Sequence, residues 1–480
     1  MSRPLHSVAI LGGGVAGWMT ACALSRVLPA ACAIRVIETA DAAPRGALST
    51  LPALRGFHGL LGLDEAALMR AAHGTFKLGS RYSGWTAQDH VEGFSDVGAN
   101  LDGVAFHHHW LRAREHGEVG RYEDYSLAAV AARLGRFARP SEDTRSVLST
   151  LSYGLHLDAA GYVAALRSTA DRVDARAGEI AEVVLASDGA IAAVVLSSGE
   201  RIVADLFIDT TPDGRLIGAT PDAAWIDGSD GLACDRLALR EIEPRPNPTP
   251  LTEFEAIAEG WLRRVPLRGG DAVTLAYASG VTSDDQARDI LGGEATIAPL
   301  RNGRRQRAWS GNCLAIGPAA AQLEPLNGDD AQAIQSGVGR LIGLLPTADG
   351  SPLAALEYNR LMAEEQDRAR DMAVFRYAAA TRTDPLWVRA RATPPSSALA
   401  YKQAQFESRG RVVLYDEETF MEGAWVGAFL GHGITPRRHD RLADRLPPDQ
   451  ADATLARLRG VIRQAAQAMP LHAEALKDRP

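Results

Sequence analysis

The segment that decides the fold reads Ser7-Val-Ala-Ile-Leu-Gly-Gly-Gly-Val-Ala-Gly17. Its apolar run leads directly into three glycines, and residues 15–28 then follow a helical pattern that Pro29 ends. Residues 33–37 form a second apolar run, which Glu38 closes. A strand, a glycine turn, a helix and a second strand in this order predict a βαβ unit over residues 1–40.

The glycines of this segment have the spacing of a dinucleotide-binding turn. The first permits the tight turn, the second lets the backbone approach a pyrophosphate, and the third lets the helix pack closely on the strand. The pyrophosphate would meet the free N–H groups at the start of the helix. A carboxylate 21 residues after the last glycine (38 − 17) can accept hydrogen bonds from ribose hydroxyls. The turn by itself does not distinguish NAD from FAD. The predicted cofactor-binding residues are Gly12, Gly13, Gly14, Val15, Ala16, Gly17 and Glu38.

Farther along, strand-like and helical patterns alternate, which predicts an α/β protein. Glycine-containing turns separate three strand-like runs, so residues 180–211 are predicted to form a β-meander. Residues 216–250 are rich in Pro, Asp and Gly and are interpreted as a loop or an insertion. The tail from residue 349 onward is mainly helical in pattern. The predicted strands lie at 182–186, 190–196, 201–209 and 313–316, and the last precedes a predicted helix over 330–345.

The composition is that of a globular protein without the excess of basic residues that nucleic-acid binding requires. The chain has 480 residues, 46% of them hydrophobic, and its net charge of -8 argues against nucleic-acid binding. The four cysteines show no CxxC pair and no zinc-like spacing, so we expect reduced thiols. No signal-peptide pattern opens the chain, and no apolar stretch reaches the ~18 residues that a membrane helix needs. We therefore expect a cytoplasmic protein with no membrane partner.

Two polar clusters have both a binding and a structural interpretation. On a strand, only His107 and His109 of the three consecutive histidines would share a face. No carboxylate motif accompanies them, so no metal site is predicted. Arg304, Arg305 and Arg307 either bind a phosphate or a substrate carboxylate or form a solvated charged run.

Beyond the glycine turn, the sequence resembles the flavin-dependent tryptophan halogenase family. The match begins with Gly12-Gly-Gly-Val-Ala-Gly-Trp-Met-Thr-Ala21 and continues with Gly74-Thr-Phe-Lys-Leu-Gly-Ser-Arg-Tyr-Ser-Gly-Trp85. Further matching segments follow in the order of the family: Phe106-His-His-His-Trp110, Asp205-Leu-Phe-Ile-Asp209, Trp261 to Pro266, Gly311-Asn-Cys-Leu-Ala-Ile-Gly317, Leu323-Glu-Pro-Leu326, Glu357-Tyr-Asn359 and Asp384-Pro-Leu-Trp387.

The resemblance implies a Rossmann-like FAD module of the flavin monooxygenase (GR2) type that carries a mostly helical substrate lobe. We expect the FAD module over residues 1–345, with interleaved substrate-contacting segments, and the helical lobe over 346–480. In the family, reduced FAD and oxygen oxidise chloride or bromide, and a separate reductase supplies the reduced FAD. The hypohalous acid then reaches a lysine beside an aromatic substrate.

Three residues of this chain take their expected roles from that resemblance. Lys77 matches the family's lysine, and an ammonium group is a compact donor that polarises or captures hypohalous acid. The alternative for Lys77 is a solvated loop lysine. The turn at Gly317 and Pro318 is expected to abut the flavin ring.

The segment after Leu326 departs from the family's halide site. The family continues with Glu-Ser-Thr-Gly, in which the Glu assists the lysine and the Thr and Gly amides hold the halide. Here Asn327 replaces the acid and cannot transfer a proton, and Gly328, Asp329 and Asp330 follow. Carboxylates within ~4–6 Å of an anion repel it by roughly 1–4 kcal/mol. The departure implies a degenerate halide site; alternatively, Asp330 caps the following helix.

Two further family-marking segments have changed. The family's Trp-x-Trp-x-Ile-Pro, thought to keep the flavin from ordinary oxygenation, reads Trp261-Leu-Arg263-Arg-Val-Pro266. Its Gly-Glu-Ala-Thr-Ile-Pro reads Ala47-Leu-Ser-Thr-Leu-Pro52. Three such sites have changed while the cofactor turn is intact, which indicates a flavoprotein that kept FAD and changed its chemistry.

Three functions remain open at this point. The first is a monooxygenase-type enzyme that uses reduced FAD and oxygen on an organic substrate, such as an indole or another aromatic compound. The second is a working halogenase with an atypical halide site, and the third is a non-catalytic flavin-binding protein. The expected partners are a small-molecule substrate and a flavin reductase, and a homodimer is compatible with the sequence. Five aromatic residues either line the substrate pocket or belong to the hydrophobic core, and core is favoured for each: Trp387, Phe406, Tyr415, Phe420 and Trp425.

Overall fold

A computed structural model describes residues 3–477, which form an α/β architecture built around a six-stranded sheet. The first strand, Ser7–Gly12, pairs in parallel with Ala33–Glu38 on one side and Leu206–Asp209 on the other. The helix Gly14–Val27 connects the first two strands, so the predicted βαβ unit is confirmed. The order across the sheet is Trp309–Ser310, Cys313–Ala315, Leu206–Asp209, Ser7–Gly12, Ala33–Glu38 and Val173–Ala177.

The predicted meander is present, but its third strand is divided. Ile180–Leu185, Ile191–Leu196 and the short Arg201–Ile202 form an antiparallel sheet. The expectation of a single strand over 201–209 was wrong, because Leu206–Asp209 pairs with the first strand of the chain instead. Asp205 turns the chain between them, since its carboxylate accepts hydrogen bonds from the backbone N–H groups of residues 6 and 7.

The second large sheet has seven strands and is mostly antiparallel. Its strand Arg236–Ile242 lies within the segment that we interpreted as a loop, and that interpretation was wrong for these residues. The strand pairs over its whole length with Asp271–Tyr277 and over its first four residues with Thr296–Pro299, and such pairing outweighs the Pro- and Asp-rich composition of its flanks. The order across the sheet is Thr296–Pro299, Arg236–Ile242, Asp271–Tyr277, Gly260–Val265, Leu251–Ile257, Gly79–Ser83 and His90–Gly93.

Two small antiparallel sheets complete the β-structure of the described residues. One consists of Ala47–Ser49, Gly154–Asp158 and Thr75–Lys77 and carries residues of the candidate site. The other consists of Trp225–Asp227, Gly303–Arg305 and Ala321–Gln322. The helices before residue 346, besides the first, are Ala53–Leu61, Glu65–Ala71, Phe106–His116, Leu127–Arg133, Ala159–Ser168, Asp284–Leu291 and Gln332–Gly343.

From residue 346 to 477 the chain is helical and contributes no strand. Its helices share both large hydrophobic clusters with earlier parts of the chain, so they are not packed as a separate core. A domain boundary near residue 345 stays a prediction. No helix within residues 3–477 is long and apolar enough to cross a membrane. The helices are Pro352–Ala378, Pro385–Ala392, Ser397–Arg409, Glu422–Gly431, Pro448–Ala468 and His472–Ala475.

Most residues of the two polar clusters noted in the sequence are buried or ion-paired. The three histidines lie on the helix Phe106–His116, not on a strand, and all three are buried. Arg305 is buried and donates hydrogen bonds to four backbone carbonyls, whereas Arg304 and Arg307 form ion pairs with nearby aspartates. The interpretation as a solvated run therefore holds for Arg307, whose side chain is 54% exposed, but was wrong for the buried Arg305. Of the five aromatic residues left open, Trp387, Phe406 and Trp425 are buried core, Tyr415 is half-buried, and Phe420 is buried but lines a cavity.

Candidate active site

The glycine turn has the backbone geometry that a bound pyrophosphate requires. Gly12, Gly13 and Gly14 have φ angles of 127°, 74° and 60°, which favour glycine. A Cβ on Gly14 would lie 2.4 Å from the carbonyl oxygen of Ala42, so a larger residue does not fit. No side chain caps the helix that begins at Gly14, so its first N–H groups are available to an anion. These observations fit the diphosphate of a dinucleotide such as FAD.

The other predicted cofactor residues converge on this turn. A Cβ on Gly317 would lie 2.8 Å from the Cβ of Ala16, so the Gly317–Pro318 turn packs against the start of the helix. Glu38 lies at the carboxyl end of its strand, beside Gly13. Its carboxylate accepts a hydrogen bond from the indole N–H of Trp18 at 3.0 Å. A contact of Glu38 with a ribose stays a prediction.

Lys77 is fully buried on the strand Thr75–Lys77, so the alternative of a solvated loop lysine was wrong. Its Nζ donates a hydrogen bond to the backbone oxygen of Gly328 at 2.7 Å and lies 5.0 Å from the ring centre of Phe94. Burial lowers the pKa of Lys77 to about 7, against the opposing effect of Asp330 and Asp329. A lysine with this pKa can hold or release a proton near neutral pH.

The aspartates after Gly328 do not act alike. Asp330 does not cap the following helix, which begins at Gln332 without a side-chain cap. Its carboxylate instead forms a two-pronged ion pair with Nη1 of Arg263, at 2.7 and 2.9 Å. Burial and the neighbouring Asp330 raise the pKa of Asp329 to about 6, although Lys77 opposes this shift.

All three segments that depart from the halogenase pattern meet at this ion pair. Arg263 comes from the altered tryptophan motif and Asp330 from the altered loop. The third altered segment, Ala47 to Pro52, bonds to both partners of the ion pair. The Ser49 N–H donates to Asp330 at 2.8 Å, and Arg263 donates to the Ala47 carbonyl at 3.3 Å. The three departures are therefore parts of one physical unit.

A chain of hydrogen bonds leads from this unit into the protein. The hydroxyl groups of Ser49 and Thr252 lie 2.6 Å apart, and Thr252 lies 2.9 Å from Nε2 of His156. On the other side of the ring, Nδ1 lies 3.0 Å from the Thr75 hydroxyl, which donates to a backbone carbonyl. Burial holds the pKa of His156 well below its ordinary value, so the imidazole is neutral and its two nitrogens take opposite roles.

Asn327 faces a second buried ion pair. Its amide oxygen accepts a hydrogen bond at 3.0 Å from Arg376, whose guanidinium also makes two 2.9 Å bonds to Glu92. Although burial raises the pKa of Glu92, the charge of Arg376 outweighs this effect and holds it well below its ordinary value. Arg376 is therefore paired with Glu92 and keeps it ionised.

One group of residues near this pair has metal-like spacing. His90, Glu92 and His432 place potential ligand atoms within 4.8 Å of one another. Both carboxylate oxygens already accept hydrogen bonds from Arg376, so the guanidinium supplies the positive charge that an ion would bring. The expectation of no metal site stays a prediction.

A cavity of about 1600 Å³ opens beside these residues. Ser80, Asn327 and Arg376 line it, and its outer part is formed by residues 96–100 and 117–121 together with the start of the helix Glu422–Gly431. Sequence reasoning had placed Asn327 in the site but missed Glu92, Arg376 and His156. A buried charged residue in a strand or helix gives no local signal, because only the fold shows what it faces.

A glycine turn of the nucleotide-binding type on a mainly parallel sheet, together with a buried lysine and a large cavity, is the arrangement expected of a nucleotide-dependent oxidoreductase. The family model described as tryptophan halogenase matches residues 7–448, and this chain belongs to that family. FAD is the family's cofactor, so the expected α/β Rossmann-like fold and the expected FAD are confirmed.

Three known proteins illustrate the relationship. The structure of BrvH, a flavin-dependent halogenase from Brevundimonas sp. BAL3, is similar with a TM-score of 0.93 and 34% identity, covering 99% of both chains. Xcc4156, a flavin-dependent halogenase from Xanthomonas campestris, has a TM-score of 0.93 and 33% identity, also covering 99% of both. The tryptophan 6-halogenase ThaL of Streptomyces albogriseolus is 27% identical, over 81% of this chain and 79% of its own.

Proposed function

We propose that this protein uses reduced FAD and oxygen to oxygenate an organic, aromatic substrate directly, without a bound halide. The observation that carries the proposal is the ion pair between Asp330 and Arg263, tied to the backbone of Ser49. The family's halide lies between the backbone amides at positions 329 and 330. Here a carboxylate stands at each of these positions, and one of them is held in place by a buried arginine.

The electrostatics of the loop oppose halide binding. Asp329 is anionic above pH 6, and a unit charge ~5 Å away costs an anion about 3 kcal/mol at an effective dielectric constant of 20. The Ser49 N–H is also occupied by Asp330 and is not available to an anion. The altered segments touch one another, which supports a coordinated replacement of the halide pocket.

The remaining residues support chemistry at a flavin. The turn at Gly12 to Gly17 would hold the pyrophosphate, Glu38 the ribose, and the Gly317–Pro318 turn the ring. Bound FAD in its reduced form supplies the electrons that activate oxygen. Lys77, buried and with a pKa of about 7, would orient the reacting oxygen species and donate a proton to it.

We propose that a separate flavin reductase supplies the reduced FAD and that the enzyme works in the cytoplasm. The test is turnover of an indole panel with FAD, reductase and NADH, with and without bromide. We expect a product heavier by one oxygen atom whose yield is independent of bromide and falls in Lys77→Met. A brominated product from the unmodified protein would overturn the proposal. Oxygen uptake no faster than that of free flavin would instead favour a non-catalytic flavin-binding protein.

A crystallographic experiment tests the halide loop itself. Bromide-soaked crystals of the unmodified, FAD-loaded protein should show no anomalous density beside Gly328. A variant that returns the network to the family's residues, Arg263→Trp with Asp329→Thr and Asp330→Gly, is the matched comparison and should show it. Density in both proteins would contradict the assigned role of the ion pair.

A second candidate, an active halogenase with an atypical halide site, is favoured by the buried position of Lys77 at the loop and by the named relatives. If it is correct, the unmodified protein brominates indole. Returning the acid with Asn327→Glu and the loop residue with Asp329→Thr should then hardly change the rate. A large gain of bromination in that variant would argue against this candidate.

A further inference from the structure

We infer that the substrate is an aromatic ring carried on a larger cationic molecule, namely an aromatic side chain within a peptide flanked by lysine or arginine. The inference rests on the proposed function, because it assigns the substrate class of the same site. Three features of the cavity carry it: its size, the absence of a free cation at its deep end, and the charge of its rim.

The size of the cavity exceeds what a single amino acid fills. Pockets for drug-sized ligands measure ~300–1,000 Å³, whereas this cavity measures about 1600 Å³. Aromatic side chains, among them Phe94, Trp110 and Phe420, form part of the cavity's lining. An aromatic group could therefore reach Asn327 while the rest of its molecule occupies the outer part.

The deep end offers no unpaired cation for the carboxylate of a free amino acid. Arg376 lines the cavity there, but two hydrogen bonds to Glu92 already balance its charge, and its Nε donates to Asn327. A substrate carboxylate would have to compete with Glu92 for this guanidinium. Lys77 is fully buried and donates to the Gly328 carbonyl. A buried carboxylate without a partner is costly, so the site selects against one close to the ring. A peptide carries its aromatic ring without such a charge.

The rim is acidic where the rest of a large substrate would lie. Asp96, Glu118 and Glu422 are exposed, line the cavity and form no ion pair within residues 3–477. Arg114 is the exposed rim cation that likewise lacks an ion pair among these residues, and it lies over the ring of Trp110. Three unpaired acids against one base favour cationic flanking groups over anionic ones.

The experiment measures binding, so it is independent of the reaction. Blocked peptides Lys-Gly-Trp-Gly-Lys and Glu-Gly-Trp-Gly-Glu, each with a fluorescent label, are titrated into the FAD-loaded protein at low salt, with free tryptophan as a competitor. We expect the lysine-flanked peptide to bind at least tenfold more tightly than either of the other two. Its affinity should fall as salt is added.

Charge variants test the rim. Asp96→Asn with Glu118→Gln and Glu422→Gln should weaken the lysine-flanked peptide at least tenfold and leave the glutamate-flanked peptide no weaker. The matched control replaces three exposed acids outside the cavity, Glu142, Asp171 and Asp416, by their amides and should change neither affinity.

Two outcomes would overturn the inference: free tryptophan that binds as tightly as the lysine-flanked peptide, or a rim variant that binds like the control. Tight peptide binding without oxygenation would refute the proposed function alone. Oxygenation of small indoles without preferential peptide binding would refute the substrate class alone.

Discussion

The ion pair between Arg263 and Asp330 allows a quantitative test of the network that replaces the halide pocket. The Arg263 side chain is 7% exposed and that of Asp330 is 13% exposed. Replacing Arg263 by Met leaves a largely buried carboxylate that keeps only one backbone N–H. Breaking a buried ion pair from one side costs about 3–5 kcal/mol of unfolding free energy, whereas replacing both partners costs much less.

We therefore expect Arg263→Met to lower the unfolding free energy by about 3–5 kcal/mol. The double variant Arg263→Met/Asp330→Asn should recover at least about 2 kcal/mol of that loss. The assay is chemical unfolding followed by circular dichroism, at pH 7.5, for the unmodified protein, both single variants and the double variant. Arg360→Met, which breaks an exposed pair with Glu357, is the control and should cost under about 1 kcal/mol.

The reasoning is refuted if the two single changes are additive, because the groups would then not interact in solution. It is equally refuted if Arg263→Met costs no more than the exposed control. Either result would remove the physical link among the three altered segments and, with it, the main support for a halide-free site.

Three further predictions concern the cofactor turn and the loop. Burial lowers the pKa of Lys77 from 10.5 to about 7. The cost of burying its charge therefore lowers the unfolding free energy fully below pH 7, and this cost disappears above pH 10.5, where the lysine is neutral in both states. The unfolding free energy should therefore rise by about 3 kcal/mol between pH 6 and pH 9 in the unmodified protein, and Lys77→Met should lack this contribution. Asp329 is protonated below its pKa of about 6, so bromide should bind at least tenfold more tightly at pH 5 than at pH 8, as followed by flavin fluorescence, and Asp329→Asn should reduce that difference to the part that Lys77 contributes as it loses its charge near pH 7. Gly14→Val forces a side chain against the Ala42 carbonyl, so the purified variant should lack the flavin absorption band, whereas Gly59→Ala, at a position with open space, should retain it.

Local sequence patterns were enough to predict those secondary-structure elements that depend only on residues nearby in the chain. The βαβ unit was predictable because glycine spacing, strand length and helix stop all lie within 40 residues. The break between the strands Arg201–Ile202 and Leu206–Asp209 was not predictable, because it depends on Asp205 accepting hydrogen bonds from the N-terminal segment. The strand Arg236–Ile242 was likewise hidden, since its stability comes from partners that follow it in the chain.

For the site, the sequence by itself identified a nucleotide turn, a candidate lysine and three segments that differ from a known family. It could not show that Arg263, Asp330 and Ser49 bond to one another, because 281 residues separate Ser49 from Asp330. Nor could it show that Lys77 is buried, since the sequence pattern of a short segment is the same whether its lysine faces water or protein. Burial, ion pairing and the resulting pKa values depend on which distant segments surround a group, and only the tertiary structure determines that.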